Sequence, residues 1–155
     1  MKHILILFLT TLMLLSQPII DSYTLPEDYN HLIYFLQKKL SKEHQRLYIT
    51  SKKLDLVSLK SVMTKNSRSS FYIFVKENFS SNRLLQSLAL YPHINIYLCQ
   101  NIPKNMIVFK DSVIKSDYSF DKESLTTKDQ LLNINLIHKA ESLYLKKLRS
   151  TCNSY

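Results

Sequence analysis

The side chains here that could attack a bond or hold a metal are five histidines and the pair Cys99 and Cys152. No two histidines stand at the His-x-x-x-His spacing that places two imidazoles on one helix face for a metal. His31 adjoins an apolar face, and His93 follows Tyr91-Pro92 just ahead of a strand, so packing or surface roles are expected for them. Neither cysteine has a second cysteine at the short spacing of a zinc site. In an oxidising compartment Cys99 and Cys152 could pair; otherwise Cys99 is a buried strand thiol and Cys152 a thiol near the C-terminus. No metal and no other cofactor is expected.

Glycine is absent from the sequence. A P-loop, a dinucleotide-binding fingerprint and a nucleophile elbow each need glycine where backbone must approach a ligand or take a positive φ, so all three are excluded. Turns must rest on Asn, Asp, Ser and Pro, as in Lys65-Asn66-Ser67 and Pro103-Lys104-Asn105. The formal net charge of +9 favours anionic partners, nucleic acid or acidic lipid among them, although scattered lysines can also serve solubility alone.

The elements that would position these groups follow from periodicity. Pro26, Glu27 and Asp28 suit a helix start, after which Tyr29, Leu32, Ile33, Leu36 and Leu40 recur at helical spacing. Leu47 to Thr50 reads as a strand, Leu56, Leu59, Val62 and Met63 as a helix, and Phe71 to Val75 as a strand covered on both faces. A helix through Leu84, Leu85, Leu88 and Leu90 leads to a strand from Ile94 to Cys99. Alternation of this kind implies βαβ units. Met106 to Phe109 and Ser112 to Lys115, joined at Lys110-Asp111, predict a hairpin. A strand over Leu131 to Ile137 and a helix through Ala140, Tyr144, Leu145 and Leu148 close the chain. The expected fold is α/β, with a mixed, largely parallel central sheet flanked by helices.

Lys2 and His3 precede an apolar run from Ile4 to Leu15, the pattern of an export signal, with polar Ser16, Gln17 and Asp21 beyond it. Residues 1–22 are read as a signal peptide or, with residues 4–20 counted as one apolar segment, as an uncleaved membrane anchor. No cysteine follows the run, which excludes a lipoprotein signal. Residues 25–150 form the expected domain and 151–155 a tail. The expected location is periplasmic or secreted, with membrane contact only through an uncleaved leader.

The order of these elements is similar to that of the single-motif phospholipase D-like nucleases, whose catalytic segment reads His-x-Lys, four residues, Asp, and then, after a hydrophobic strand, Gly-Ser and Asn. Asn105-Met106-Ile107-Val108-Phe109-Lys110 falls where that segment belongs, and Val113 to Phe120 resembles its continuation. Asp129-Gln130-Leu131-Leu132 is similar to a later acid-amide pair before a strand. On this register Pro103 stands at the nucleophilic His, Asn105 at the Lys and Lys110 at the Asp, while Ser116, Asp117 and Ser119 replace Gly, Ser and Asn. The family's chemistry needs an imidazole to attack phosphorus and a Lys to neutralise phosphoryl oxygens. Proline does neither, and none of His31, His44, His93 and His138 has a lysine two residues on.

The resemblance therefore implies a catalytically degenerate member that binds nucleic acid or another polyanion outside the cytoplasm. Lys104 and Lys110 beside the vestigial segment, and Lys52, Lys53, Arg68 and Arg83 on connecting segments, are the candidates for phosphate contacts, with Tyr48, Tyr72 or Tyr118 for base stacking. Against this stands the plain alternative that the tyrosines are sheet core and the lysines solvated surface. Two further readings follow from the family's habit of building one active site from two chains and from its chemistry. One is a homodimer, or a regulatory partner of an active relative; the other is a diverged phosphodiesterase acting on nucleic acid or phospholipid.

Overall fold

The computed structural model describes residues 19–79 and 82–155; of the leader assigned to residues 1–22, all but the last residues lie outside that range. The first element is β1 (Ile19–Leu25), and the leader's last residues belong to it. Sequence periodicity gave no sign of this strand because only Leu25 is buried along it. A turn follows in which the Asp28 carboxylate accepts from the Thr24 amide at 2.9 Å. This turn delays α1 (Tyr29–Leu40) by three residues from the expected start at Pro26. The apolar face of α1 is as the spacing predicted, with Leu32, Ile33, Leu36 and Leu40 buried.

Next come β2 (Arg46–Ser51), β3 (Leu54–Asp55), α2 (Val57–Lys65) and β4 (Ser70–Lys76). Without glycine, the α1–β2 link places His44 at a φ of 58°. The carbonyls at the end of α1 are met by Asn66 from the predicted turn, whose amide donates to Leu40 at 2.7 Å and to Lys42 at 2.8 Å. An asparagine side chain thus satisfies helix-end carbonyls that a glycine-based cap would otherwise serve. Then follow α3 (Arg83–Leu88), β5 (Ile94–Cys99), β6 (Asn105–Val108), β7 (Ser112–Ser116), β8 (Phe120–Asp121), α4 (Lys122–Thr127), β9 (Gln130–Leu136), α5 (Lys139–Thr151) and β10 (Asn153–Ser154).

One eight-stranded sheet organises the domain in the order β1-β9-β7-β6-β2-β4-β5-β10. The sheet is mixed and flanked by helices, as expected, but its parallel pairing is confined to β2–β4–β5. The ladders β2–β6, β6–β7, β7–β9, β9–β1 and β5–β10 are antiparallel, which corrects the expectation of a largely parallel sheet. The reason is that parallel neighbours need a crossover element, and only the first half of the chain interleaves helices with these strands; β6 and β7 join by a tight turn. The segment 151–155, read as a tail, is also corrected. Cys152 is bonded to Cys99, β10 pairs with β5, and the Tyr155 amide donates to the Ile96 carbonyl at 2.9 Å.

The two faces of the sheet are covered unequally. On one, α1, α2, α3 and α4 bury the main core with Leu47, Ile49, Phe71, Ile73, Val75, Ile96, Ile107 and Ile134. On the other, Phe74, Cys99, Met106, Val108 and Val113 lie under α5 alone. A helix is about 10–12 Å wide, and strands are spaced at about 4.8 Å, so one helix cannot roof eight strands. Two openings therefore remain beside α5. Tyr48 and Tyr72 occupy this face as a stacked pair with centroids 5.0 Å apart, which places them in the packing as well as at the edge of an opening.

Candidate functional site

The first opening lies where β2 ends and β6 begins. Backbone geometry there is set by short polar side chains that the strands bury. The Thr50 hydroxyl donates to the Lys104 carbonyl at 2.7 Å. The Ser51 hydroxyl donates to the Lys53 carbonyl and accepts from the Phe120 amide at 2.8 Å, joining the loop after β2 to β8. Asn105 is the hub. It is only 4% exposed; its Oδ1 accepts from the Lys52 amide at 2.9 Å, and its Nδ2 reaches toward the Ser116 and Asp117 carbonyls at 3.5 Å each. Ser116 donates to the Gln130 side chain at 2.8 Å and accepts from the Tyr118 amide at 3.1 Å.

These contacts shape a cleft of about 430 Å³ lined by Lys52, Pro103, Lys104, Asn105, Lys115, Ser116, Asp117, Leu131, Asn133 and Asn135. Lys115 is held by Glu141 of α5 at 2.7 Å, and that carboxylate, 6% exposed, also accepts from the His138 amide at 2.9 Å. Lys104 extends to within 5.7 Å of the Tyr144 ring. Asn133 Oδ1 is buried without a hydrogen-bond partner among the described residues. An orphaned amide oxygen costs free energy unless a hydrogen-bond donor or water meets it, so the cleft has unused acceptor capacity.

The structure thus brings together Lys52, the consecutive Pro103, Lys104 and Asn105, and the pair Ser116 and Asp117, from three separate stretches of the chain. It does not bring Ser119 or Asp129 into the lining, and in place of Asp129 its neighbour Gln130 makes the contact with Ser116. Lys110 stands at the far end of the β6–β7 hairpin, on the second opening. Arg68 pairs with Glu43 at 2.7 Å near the α1–α2 edge, and Arg83 opens α3, so neither faces the cleft. Lys53 adjoins it without lining it, and Tyr118 is exposed on the loop beyond β7. Thr50, Lys115, Asn133, Asn135 and Glu141 were missed. Alternation in the strands would have marked Lys115 and Asn133 as facing one way, but only the pairing of β7 with β9 sets them side by side.

No histidine lines this cleft among the described residues. His31 lies beside Asp28, His44 is exposed, His93 bonds the Met63 carbonyl at 2.9 Å, and His138 precedes α5. Both cysteine sulfurs are consumed in the disulfide. The Ser116 hydroxyl is committed to Gln130, which is no base. Among the described residues no three His, Cys, Asp or Glu side chains gather as metal ligands, and no helix is long and apolar enough to cross a membrane. The lining carries the ammonium groups of Lys52, Lys104 and Lys115, the last paired with Glu141, together with the Asp117 carboxylate and the side-chain amides of Asn105, Asn133 and Asn135.

The strap over this site carries a titrating group. Burial of its ring between α5, which carries it, and the sheet raises the Tyr144 phenol above its ordinary 10.0, offset in part by the Lys104 backbone and the Thr50 hydroxyl. The folded state then keeps a proton that the unfolded chain releases, so this stability is whole below pH 10.0 and is lost as pH rises through the higher folded value. Tyr23, raised by burial and by Asp21, acts in the same direction. Tyr144→Phe should therefore lessen, without abolishing, the fall in urea midpoint on crossing pH 10.0. An unchanged alkaline slope would remove Tyr144 from this account.

No family model and no curated protein sequence matches the chain. Solved structures do. NucT from Helicobacter pylori superposes over 87% of this chain and 98% of its own, at 14% identity and a TM-score of 0.71. Nuc from Salmonella typhimurium, a phospholipase D family member, covers 87% and 96% at 9% identity and a TM-score of 0.70. TrmBL2, an archaeal chromatin protein described with a novel mode of DNA binding, matches 99% of this chain and 61% of its own at 10% identity and a TM-score of 0.62. Identities this low speak for architecture and not for activity. The strand order, the hairpin that carries Asn105 and these superpositions together give this chain the phospholipase D-like fold.

Proposed function

We propose that this protein binds nucleic acid, as one kind of polyanion, through the cleft at the start of the β6–β7 hairpin and does not hydrolyse phosphodiesters. The observation that carries the reading is the lining itself: Lys52 and Lys104 line the cleft with Pro103 and Asn105, Asp117 is the one acid beside them, and no imidazole and no free thiol stand there among the described residues. Cations bind phosphate, but transfer through a phospho-enzyme needs a nucleophile. The net charge of +9 supports the same ligand class. So does the likeness to TrmBL2, itself described as binding DNA.

Fluorescence anisotropy with a labelled single-stranded oligonucleotide tests this. Affinity should fall linearly with salt on a log–log scale, and a Lys52→Ser/Lys104→Ser variant should flatten that slope by about 0.7 for each phosphate left without its cation. No retention of DNA at low ionic strength overturns the reading. So does cleavage of bis-nitrophenyl phosphate or single-stranded DNA that disappears when one histidine is replaced.

Export belongs to the same proposal. The apolar leader motivates it, and the Cys99–Cys152 bond suits an oxidising compartment. The intact mass of exported material should lack the apolar run of residues 4–15, cut ahead of β1; retention of that run would mean an anchor instead.

A further inference from the structure

The second opening lies on the other flank of α5, and its lining differs from that of the first. A groove of about 570 Å³ runs between the start of β2, the hairpin turn and α5. Ser142, Leu145, Lys146 and Arg149 stand at helical spacing and form one wall. Arg46 and Tyr48, two apart on β2 and so on one face of the sheet, form the floor with Val108, while Lys110 closes the end.

The electrostatics of this groove are one-sided. Arg46, Lys110, Lys146 and Arg149 all line it and all are exposed, whereas no carboxylate lines it. The nearest acids are engaged elsewhere: Glu43 with Arg68 at 2.7 Å, Asp111 with Lys39 at 3.5 Å and Glu141 with Lys115 at 2.7 Å. The four cations form no ion pair among the described residues. Clustered like charges repel, so an anion that bridges them is bound favourably. Between the cations the surface is apolar and aromatic. Tyr48 stacks on Tyr72, and the Arg149 guanidinium lies 5.4 Å from the Tyr72 ring centre, which leaves Tyr48 as the ring of the stack that borders the groove.

We propose that this groove is a second binding site, separate from the cleft, that takes a single-stranded nucleic-acid segment with its phosphates on Arg46, Lys110, Lys146 and Arg149 and a base against Tyr48. Cations that track a backbone beside an aromatic platform are what binding of single strands without sequence preference requires. The concavity selects the flexible strand, since a rigid duplex or a bilayer surface would touch only the rim. The choice of ligand rests on the reading of the preceding section; the location does not.

The test uses the full chain and a labelled fifteen-mer of thymidylate, ~15 nucleotides being within reach of one such site. A Lys146→Ser/Arg149→Ser variant, altered only at exposed helix positions, should bind roughly tenfold more weakly per cation at low salt, with the log–log salt slope reduced by about 1.4. An abasic strand of equal length should bind the wild-type protein roughly tenfold more weakly at an unchanged slope. Wild-type affinity and slope in the groove variant overturn this proposal, and if Lys52→Ser/Lys104→Ser still weakens binding, the cleft reading survives. Capture by phosphatidylserine vesicles that is lost in the groove variant, with oligonucleotide affinity unchanged, also overturns it in favour of a lipid ligand. No oligonucleotide binding by the wild type overturns both.

Discussion

Reducing the Cys99–Cys152 bond should lower the unfolding free energy of this protein by up to about 4 kcal/mol, the loop-closure value for cysteines 53 residues apart. The place of the bond explains why the loss should be felt. It ties the end of α5 to the end of β5, next to the short edge strand β10, and α5 is the single helix over its face of the sheet. Cys99 packs with Phe74, Ile102 and Leu148, so a freed α5 would also expose this smaller cluster. Folded domains are stable by only about 5–15 kcal/mol, which makes the tether a large share of the whole. Urea titrations with and without reductant, and of a Cys99→Ser/Cys152→Ser variant, give the measurement. Coincident midpoints would show that packing under α5 is sufficient alone.

A comparable loss is expected from Phe71→Ala. Phe71 is fully buried at the centre of the larger core, on the strand where β2, β4 and β5 run parallel. Its ring also meets His93 edge-on at 6.0 Å. Truncating a buried phenylalanine costs about 3–5 kcal/mol, because the cavity collapses only in part. Phe74→Ala, one strand position from Val75 but facing α5, removes a ring stacked on Tyr97 at 4.8 Å. The two phenylalanines serve opposite faces, and this yields a sharper expectation. Loss of the disulfide should add to Phe71→Ala but fall short of additivity with Phe74→Ala, since Phe74 and Cys99 share one cluster. Equal additivity in both pairs would count against two separate cores.

These expectations draw on features of unequal legibility. The run Phe71 to Val75 announced a strand covered twice, and the structure bears this out, because residues that face opposite ways must both find apolar cover. The hairpin at Lys110-Asp111 and the face of α1 were equally plain, since strong periodicity leaves one packing solution. On α5, by contrast, Leu145 and Leu148 are buried as expected, but Ala140 is exposed and Glu141 is buried in its place. β1 was invisible, because an edge strand with a single buried residue carries no alternation. The docking of residues 153–155 was invisible for a related reason: its hydrogen bonds are backbone bonds, indifferent to side-chain type.

From residue types alone came the absence of every glycine-dependent phosphate loop, the surplus of cations, the alternation that makes an α/β domain, and the lack of any histidine between Asn101 and Phe120. Tertiary structure alone decided which cations share a ligand space. Lys52 and Lys104 line one cleft with Asn105, while Lys110, six residues from Lys104, is carried by an extended hairpin to the opposite flank of α5 and there joins Arg46, Lys146 and Arg149. The physical reason is that each rise along a strand moves a side chain by about 3.3 Å and the ladder fixes its neighbours, so proximity belongs to the pairing and not to the distance along the chain.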